Sequence, residues 1–278
     1  MNNFGSENIL KRFMPLSELV SFIDWTPFFH FWNFKGIYPA ILENDEARKV
    51  YEAALTVLCA ADDIEVSCIL RFFDAHATQD DNIVVRVPSG CACGCVQVSR
   101  EVQLPMLRQQ EEGSQYECLT DFLPLKGSTK MGLFCVKVQD HNRHTVTDSA
   151  ADNDEYTRLL RDAICARFAD ACATWLEKQA EKYISDNVKI IRPAFGYPAS
   201  PDHSLKKDVF DILHIEETVG ATLTENYSII PSTSITGLMI AHPQAHYFGV
   251  GKIGKDQWTD YRLRRGFSEH EMQKLLPL

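Results

Sequence analysis

Cys91, Cys93 and Cys95 form a C-x-C-G-C cluster whose thiolates could hold a soft metal. The spacing differs from the paired C-x2-C knuckle, and no second cysteine pair follows at ligand distance, so a hairpin with free thiols is the reading adopted. Gly249-Val250-Gly251-Lys252-Ile253-Gly254 fits G-x-G-x-x-G literally. A dinucleotide fold then needs a second parallel strand with an acidic residue about 20 positions on, and only two helices follow here. Gly254-Lys255-Asp256 falls short of a P-loop, because Asp256 stands where a hydroxyl must reach magnesium and its carboxylate repels phosphate. Asp74-Ala75-His76 begins a corrinoid-ligating D-x-H-x-x-G pattern, but Gln79 replaces its glycine. His141 with His144, and His242 with His246, lack a third ligand at supporting spacing and are expected at the surface. No nucleophile elbow is present, and neither a catalytic residue nor a metal site is assigned.

The elements that would carry these residues come from periodicity. From Asn44 to Ala61, the residues Ala47, Val50, Tyr51, Ala54, Leu55 and Leu58 share one helical face behind an Asn44 cap. A longer helix is expected from about Asn153 to Tyr183, with Leu160, Ile164, Phe168, Cys172, Trp175 and Leu176 as its buried stripe. A third lies between Ser204 and Val219 and stops at Gly220, and the last opens with a Ser268–Glu271 capping box. Strand-like runs cover Asn82–Val87, Gly132–Val138, Ser234–Ile240 and Tyr247–Val250, and Gln139 to Asp154 is a polar loop. The order lacks regular strand-helix alternation, which favours α+β with a mixed or antiparallel sheet.

Composition narrows the class. The 278 residues are 45% apolar and 24% charged, and 16 Phe, 9 Tyr and 4 Trp exclude disorder as the main state. A formal charge of -10 argues against nucleic acid. No apolar run approaches the roughly 18 residues of a membrane span. The first residues lack a signal-peptide pattern, and nine cysteines, an odd number, favour reduced thiols. A cytoplasmic protein with no membrane partner is expected.

Two longer blocks are more specific. The first is Asp24-Trp25-Thr26-Pro27-Phe28-Phe29, followed by Trp32, Gly36 and Tyr38-Pro39. The second is Arg192-Pro193-Ala194-Phe195-Gly196-Tyr197-Pro198-Ala199 with Pro201-Asp202-His203, then Leu223 to Tyr227, Pro231, Ser234, Gly237, His242-Pro243 and Tyr247 to Ile253. Together they resemble the S-adenosylmethionine-binding activation domain of cobalamin-dependent methionine synthase, over about Leu16 to Leu276. The resemblance implies a single C-shaped α+β domain spanning 1–278, with the first 15 or so residues as an extension. A twisted antiparallel β-sheet flanked by helices would present S-adenosylmethionine in a shallow groove. In that family the domain supports reductive methylation of oxidised cobalamin, with one electron from a flavodoxin-type donor.

Such chemistry needs no general acid or base, because cob(I)alamin is a strong nucleophile and a sulfonium a ready leaving group. The protein's task is positioning. By resemblance, Arg192 pairs with the ligand carboxylate, Ala194 and Gly196 bring backbone close to it, Tyr197 borders the methyl-transfer face and Tyr247 lies by the adenine. Asp24 matches the family's aspartate, and Asp170 and Asp186 fall where it carries glutamates, suited to the ligand's positive groups. Each has a plainer reading. Asp24 could cap the helix near Trp25, Asp170 could pair with Arg167 at the surface, and Tyr247 could be sheet core. Phe195 replaces a proline of the family pattern and is expected to loosen the turn and add bulk near the groove; Ser200 replaces a cysteine, and Ile229-Ile230 replace Met-Trp.

With no homocysteine, folate or cobalamin module, the chain is expected to act in trans on a cobalamin-binding methionine synthase or other corrinoid protein. Cobalamin would be met only through that partner. The alternative is a non-catalytic interaction subunit that docks on a corrinoid protein without using S-adenosylmethionine. An independent methyltransferase for a small molecule would need a general base in the groove, and none can be nominated.

Overall fold

The computed structural model describes residues 8–90, 97–142, 151–184 and 188–276. Strand β1 (Asn8–Lys11) precedes helices α1 (Leu16–Leu19), α2 (Thr26–Phe31) and α3 (Asp45–Cys59). Strands β2 (Ile64–Ala77), β3 (Asn82–Gly90), β4 (Gln97–Pro105) and β5 (Thr129–Asp140) follow, then the long helix α4 (Ala151–Ala180). The remainder comprises β6 (Lys189–Ile191), α5 (Leu205–Leu213), α6 (Ile215–Thr218), the small hairpin β7 (Thr222–Leu223) and β8 (Ile229–Ile230), β9 (Ile235–His242), α7 (Lys255–Arg265) and α8 (Glu269–Leu275). The main sheet has seven strands in the order β4-β3-β2-β5-β9-β6, with β1 also on β2, and every pairing is antiparallel.

Alternation along the central strands divides the core. On β2, Ile64, Val66, Cys68, Leu70 and Phe72 face α1 to α4, whereas Ile69, Phe73, Ala75 and Ala77 face the side of α5 and α6. On β5, Phe134, Val136 and Val138 take the first face and Met131, Leu133 and Cys135 the second. A strand buried on both faces must be nearly continuously apolar, which is how β2 and β5 read. The two pair over twelve residues, from Ile64 with Asp140 to Ala75 with Thr129. Helix α4 lays Leu160, Ile164, Phe168, Cys172 and Leu176 onto the first face, a spacing of four that keeps one stripe inward. Arg161, about three turns along it, ties the helix to the end of β5 by a bidentate bond to Asp140 at 2.6 and 2.7 Å, and to Asp63 at 2.8 Å.

Expected helix ends are met at α3, where Asn44 Oδ1 accepts from Glu46 and Ala47 N–H, and at the Ser268–Glu271 box of α8. Three expectations need correction. The helix between Ser204 and Val219 is two helices, because His214 sits in the left-handed region at φ 51° and turns the axis. Tyr247 to Val250 is not a strand: Val250 N–H donates to Pro198 O at 2.8 Å, and the Gly249 carbonyl accepts from the Gln109 side chain. These backbone groups are satisfied by loops rather than by a ladder. Strand β5 also extends to Asp140 and α4 starts at Ala151, so both ends of the stretch expected as a polar loop are regular structure. Among the described residues, no helix is long and apolar enough to cross a membrane.

Candidate ligand groove

After β6 the chain lies along β9 with almost no gap. Leu238 N–H donates to Pro193 O at 3.0 Å and Phe195 N–H to Thr236 O at 3.1 Å, and Ala194 bridges Gly237. Gly237 makes this approach possible: a Cβ there would stand 2.3 Å from Pro193 O and 2.7 Å from Ala194 Cα. Gly196 then turns the chain at φ 89°, a conformation costly for residues with a Cβ, and an added Cβ would also enter the His203 ring at 2.4 Å. Phe195 is 2% exposed and joins the core on the α5 side, so its side chain anchors the turn. Phe195 also borders the groove, where its bulk was expected.

Arg192 reaches from this segment to α4. Its Nε donates to Glu177 Oε2 at 3.0 Å, Nη1 to Asp170 Oδ1 at 2.9 Å and Nη2 to Thr174 Oγ1 at 2.8 Å. The three acceptors sit at i, i+4 and i+7 on one helical face, which is the geometry that lets one guanidinium meet all of them. Burial works against the guanidinium charge, but Asp170 and Glu177 outweigh it and hold the group protonated. A guanidinium carries five N–H donors, so two remain for a ligand. Asp170 is also 3.7 Å from Arg167, so the plainer pairing exists beside the second one to Arg192.

Two adjoining cavities flank residues 194–197. One, of about 380 Å³, is bordered by Arg192, Asp170, Tyr197 and Tyr247; the other, of about 520 Å³, is bordered by Asp170, Arg167, His203 and Lys206. Both volumes suit a small organic ligand. Ala194 and Tyr197 border both, and Gly196 the larger. The Tyr197 and Tyr247 rings are 57% and 60% exposed, which makes them lips of the groove rather than sheet core. The Tyr247 hydroxyl accepts from Arg192 N–H at 2.9 Å. Burial pushes that hydroxyl's pKa up, partly offset by the Arg192 amide. The candidate residues Arg192, Asp170, Ala194, Gly196, Tyr197 and Tyr247 are therefore brought together. Asp24 is exposed and its Oδ1 accepts from Thr26 N–H at 2.9 Å, a capping role at the start of α2, whose Pro27 borders the larger cavity. Asp186 lies outside the described residues, as do Cys91, Cys93, Cys95 and His144.

The Pro201-Asp202-His203 stretch anchors the groove to the C-terminal helices. Asp202, 1% exposed, accepts from Ser204 N–H and Oγ and from Tyr261 Oη, each at 2.7 Å. Arg265 bonds Asp208 at 2.8 Å and Ser204 Oγ at 2.9 Å, completing the link from α7 to α5. His203 Nδ1 and Lys206 Nζ are 2.6 Å apart, and Lys206 also donates to Tyr227 O at 3.2 Å. Burial and then the neighbouring Lys206 lower the His203 pKa, and burial lowers that of Lys206. Glu177, Thr174, His203 and Lys206 were not among the residues nominated from sequence. The i, i+4, i+7 spacing of Asp170, Thr174 and Glu177 was the available signal for two of them. His246 and His141 are surface groups as expected, His246 bonding Glu117 at 2.7 Å and His141 lying 3.5 Å from Glu65, whereas His242 is half-buried against Phe122. No group of three metal-ligating side chains occurs among the described residues.

The crystal structure of the MetH reactivation domain bound to AdoHcy is 28% identical, with a TM-score of 0.77 over 98% of this chain and 89% of that one. Residues 15–266 match the family described as the activation domain of vitamin B12-dependent methionine synthase. Both sequence blocks and the whole groove fall inside that span, and the chain belongs to this family.

Proposed function

We propose that the groove binds S-adenosylmethionine and that the chain supports reductive methylation of cobalamin held by a separate methionine synthase or corrinoid protein. The observation that carries this reading is Arg192, fixed on three sides by α4 with two N–H donors left over beside Tyr247. A rigid fork with spare donors suits an amino-acid carboxylate. When bound, S-adenosylmethionine supplies a methyl group on a sulfonium cation. Asp170 and Glu177 would lower the energy of positive charge nearby, Ala194 and Gly196 let backbone approach, and Tyr197 and Tyr247 cover the groove's rim. The solved relative bound to AdoHcy supports the ligand class. No residue is required as acid or base. A flavodoxin-type donor would supply the electron, and the free cysteines among the described residues fit a reducing, cytoplasmic setting.

Titration calorimetry of the full chain with S-adenosylhomocysteine tests the reading. Arg192→Lys keeps the charge and loses the fork, and should weaken binding roughly tenfold to a hundredfold. Absence of binding by the parent, or unchanged affinity in Arg192→Lys, overturns it. One observation favours the docking-only alternative: Arg192 already has protein acceptors and needs no ligand to satisfy it. Under that alternative a cobalamin-loaded partner is captured equally with and without S-adenosylmethionine.

A further inference from the structure

Lys206 stands out among the groove's charged groups. It is 7% exposed, it borders the larger cavity, and among the described residues no carboxylate lies within ion-pair distance of its ammonium. Its bonds go to two neutral acceptors, His203 Nδ1 and the Tyr227 carbonyl, which leaves one of its three N–H donors unspent. Asp202 is close enough to be felt, but its oxygens are occupied by Ser204 and Tyr261. With Nδ1 accepting from Lys206, the neutral His203 ring carries its proton on Nε2, a second donor with no hydrogen-bond partner among the described residues. Arg167 borders the same cavity and is a second cation there, 3.7 Å from Asp170. The hydroxyls of Thr233 and Thr236 there donate instead to the Val138 and Phe134 carbonyls. A buried ammonium without a counter-charge is unfavourable, and a paired donor set of this kind is matched by a group that only accepts.

We propose that Lys206 and His203 form a second subsite, for an oxyanion of the carboxylate or phosphate class, in the larger cavity, which Arg192 does not border. Arg192 borders the smaller cavity while Lys206 and His203 border the larger, so the subsite is separate from the Arg192 fork. The oxyanion is either free in solution or the phosphodiester of a corrinoid presented by the partner. The lowered pKa of Lys206 fits a cation waiting for its counter-ion, and an arriving anion should raise it.

The test is NMR titration of the full chain with inorganic phosphate, at constant ionic strength, following the His203 ring and the Lys206 ammonium. Saturable shifts of both, with a rise in the Lys206 pKa, are expected. Lys206→Met should weaken phosphate binding roughly tenfold to a hundredfold, with partial recovery in Lys206→Arg. If Lys206→Met does not fold, the response of the parent decides. Competition by methylcobalamin but not by methylcobinamide, which lacks the nucleotide phosphodiester, assigns the anion to a corrinoid; competition by neither assigns it to solution. A His203 signal that does not saturate, or equal phosphate affinity in parent and Lys206→Met, overturns the subsite and makes the pair a brace for the Tyr227 carbonyl. The proposal does not rest on S-adenosylmethionine binding, so failure of the S-adenosylhomocysteine titration leaves it standing, and the reverse holds as well.

Discussion

Gly237→Ala tests whether the groove depends on how closely residues 193–194 lie on β9. The added Cβ would meet Pro193 O at 2.3 Å, Ala194 Cα at 2.7 Å and the Pro193 carbonyl carbon at 3.0 Å. All three are backbone atoms, so no side-chain rotation relieves the clash. Restoring an ordinary carbon–oxygen separation of about 3.3 Å moves the segment by about 1 Å. That displacement breaks or stretches two backbone bonds, Leu238 N–H to Pro193 O and Phe195 N–H to Thr236 O. At about 1 kcal/mol each, with overpacking strain of about 1–2 kcal/mol, the loss is about 3–4 kcal/mol. For a chain of this size the thermal midpoint should fall by roughly 6–16 °C. Arg192 is the next residue, and a shift of this size draws its fork off Asp170, Thr174 and Glu177. Affinity for S-adenosylhomocysteine should fall roughly tenfold to a hundredfold. Gly266→Ala is the control. It sits at φ 71° with nothing within 4 Å of its added Cβ, at the end of α7, so it should lower the midpoint and leave affinity alone. Differential scanning fluorimetry and calorimetry on both variants separate the two effects. A Gly237→Ala protein with the parent's midpoint and affinity would refute the reasoning.

Two further outcomes follow from named contacts. Tyr261→Phe removes the 2.7 Å bond to Asp202 from a fully buried ring and should cost about 1–3 kcal/mol in chemical denaturation, with the slope unchanged; no loss would show that Asp202 is satisfied without it. His246 donates to the Gln244 carbonyl and to Glu117, which raise its pKa above the usual 6.5 against the opposing charge of Lys189. Its contribution is therefore fully present below pH 6.5 and lost as pH rises through the folded value. The midpoint difference between the parent and Glu117→Gln should be larger at pH 5.5 than at pH 8.5, and an equal difference would refute the assignment.

The fold was legible where periodicity was strong and one-sided. The stripe from Leu160 to Leu176 and the Asn44 and Ser268 caps appear as expected, because each depends on spacing within one element. The misread stretches depend on what lies next to them. Tyr247 to Val250 has strand-like composition, yet its backbone is committed to Pro198 and Gln109, residues distant in the chain. His214 has an ordinary side chain, yet it stands in the left-handed region between α5 and α6, with Leu213 and Ile215 on either side packed into one core. Phe195 is a related case, buried in the core and bordering the groove at once. Sequence tells that the side chain is large but not which way the turn points it.

In the groove, the residues that resemblance named are those a ligand would touch, and the residues it did not name hold them in place. Arg192 can serve as a fixed fork only because Asp170, Thr174 and Glu177 share one face of α4, offset from the apolar stripe that packs that helix on the sheet. The same helix therefore does two jobs with two faces. Its stripe fixes the helix axis over β5 and β2, and its polar edge fixes the guanidinium relative to that axis. Shifting the polar set by one position would rotate it about 100° round the helix and away from Arg192, leaving the packing stripe untouched. Spacing read jointly with Arg192 would have exposed that dependence. His203 offers no such signal, since its contact with Gly196 and its bond to Lys206 arise only once the turn has formed.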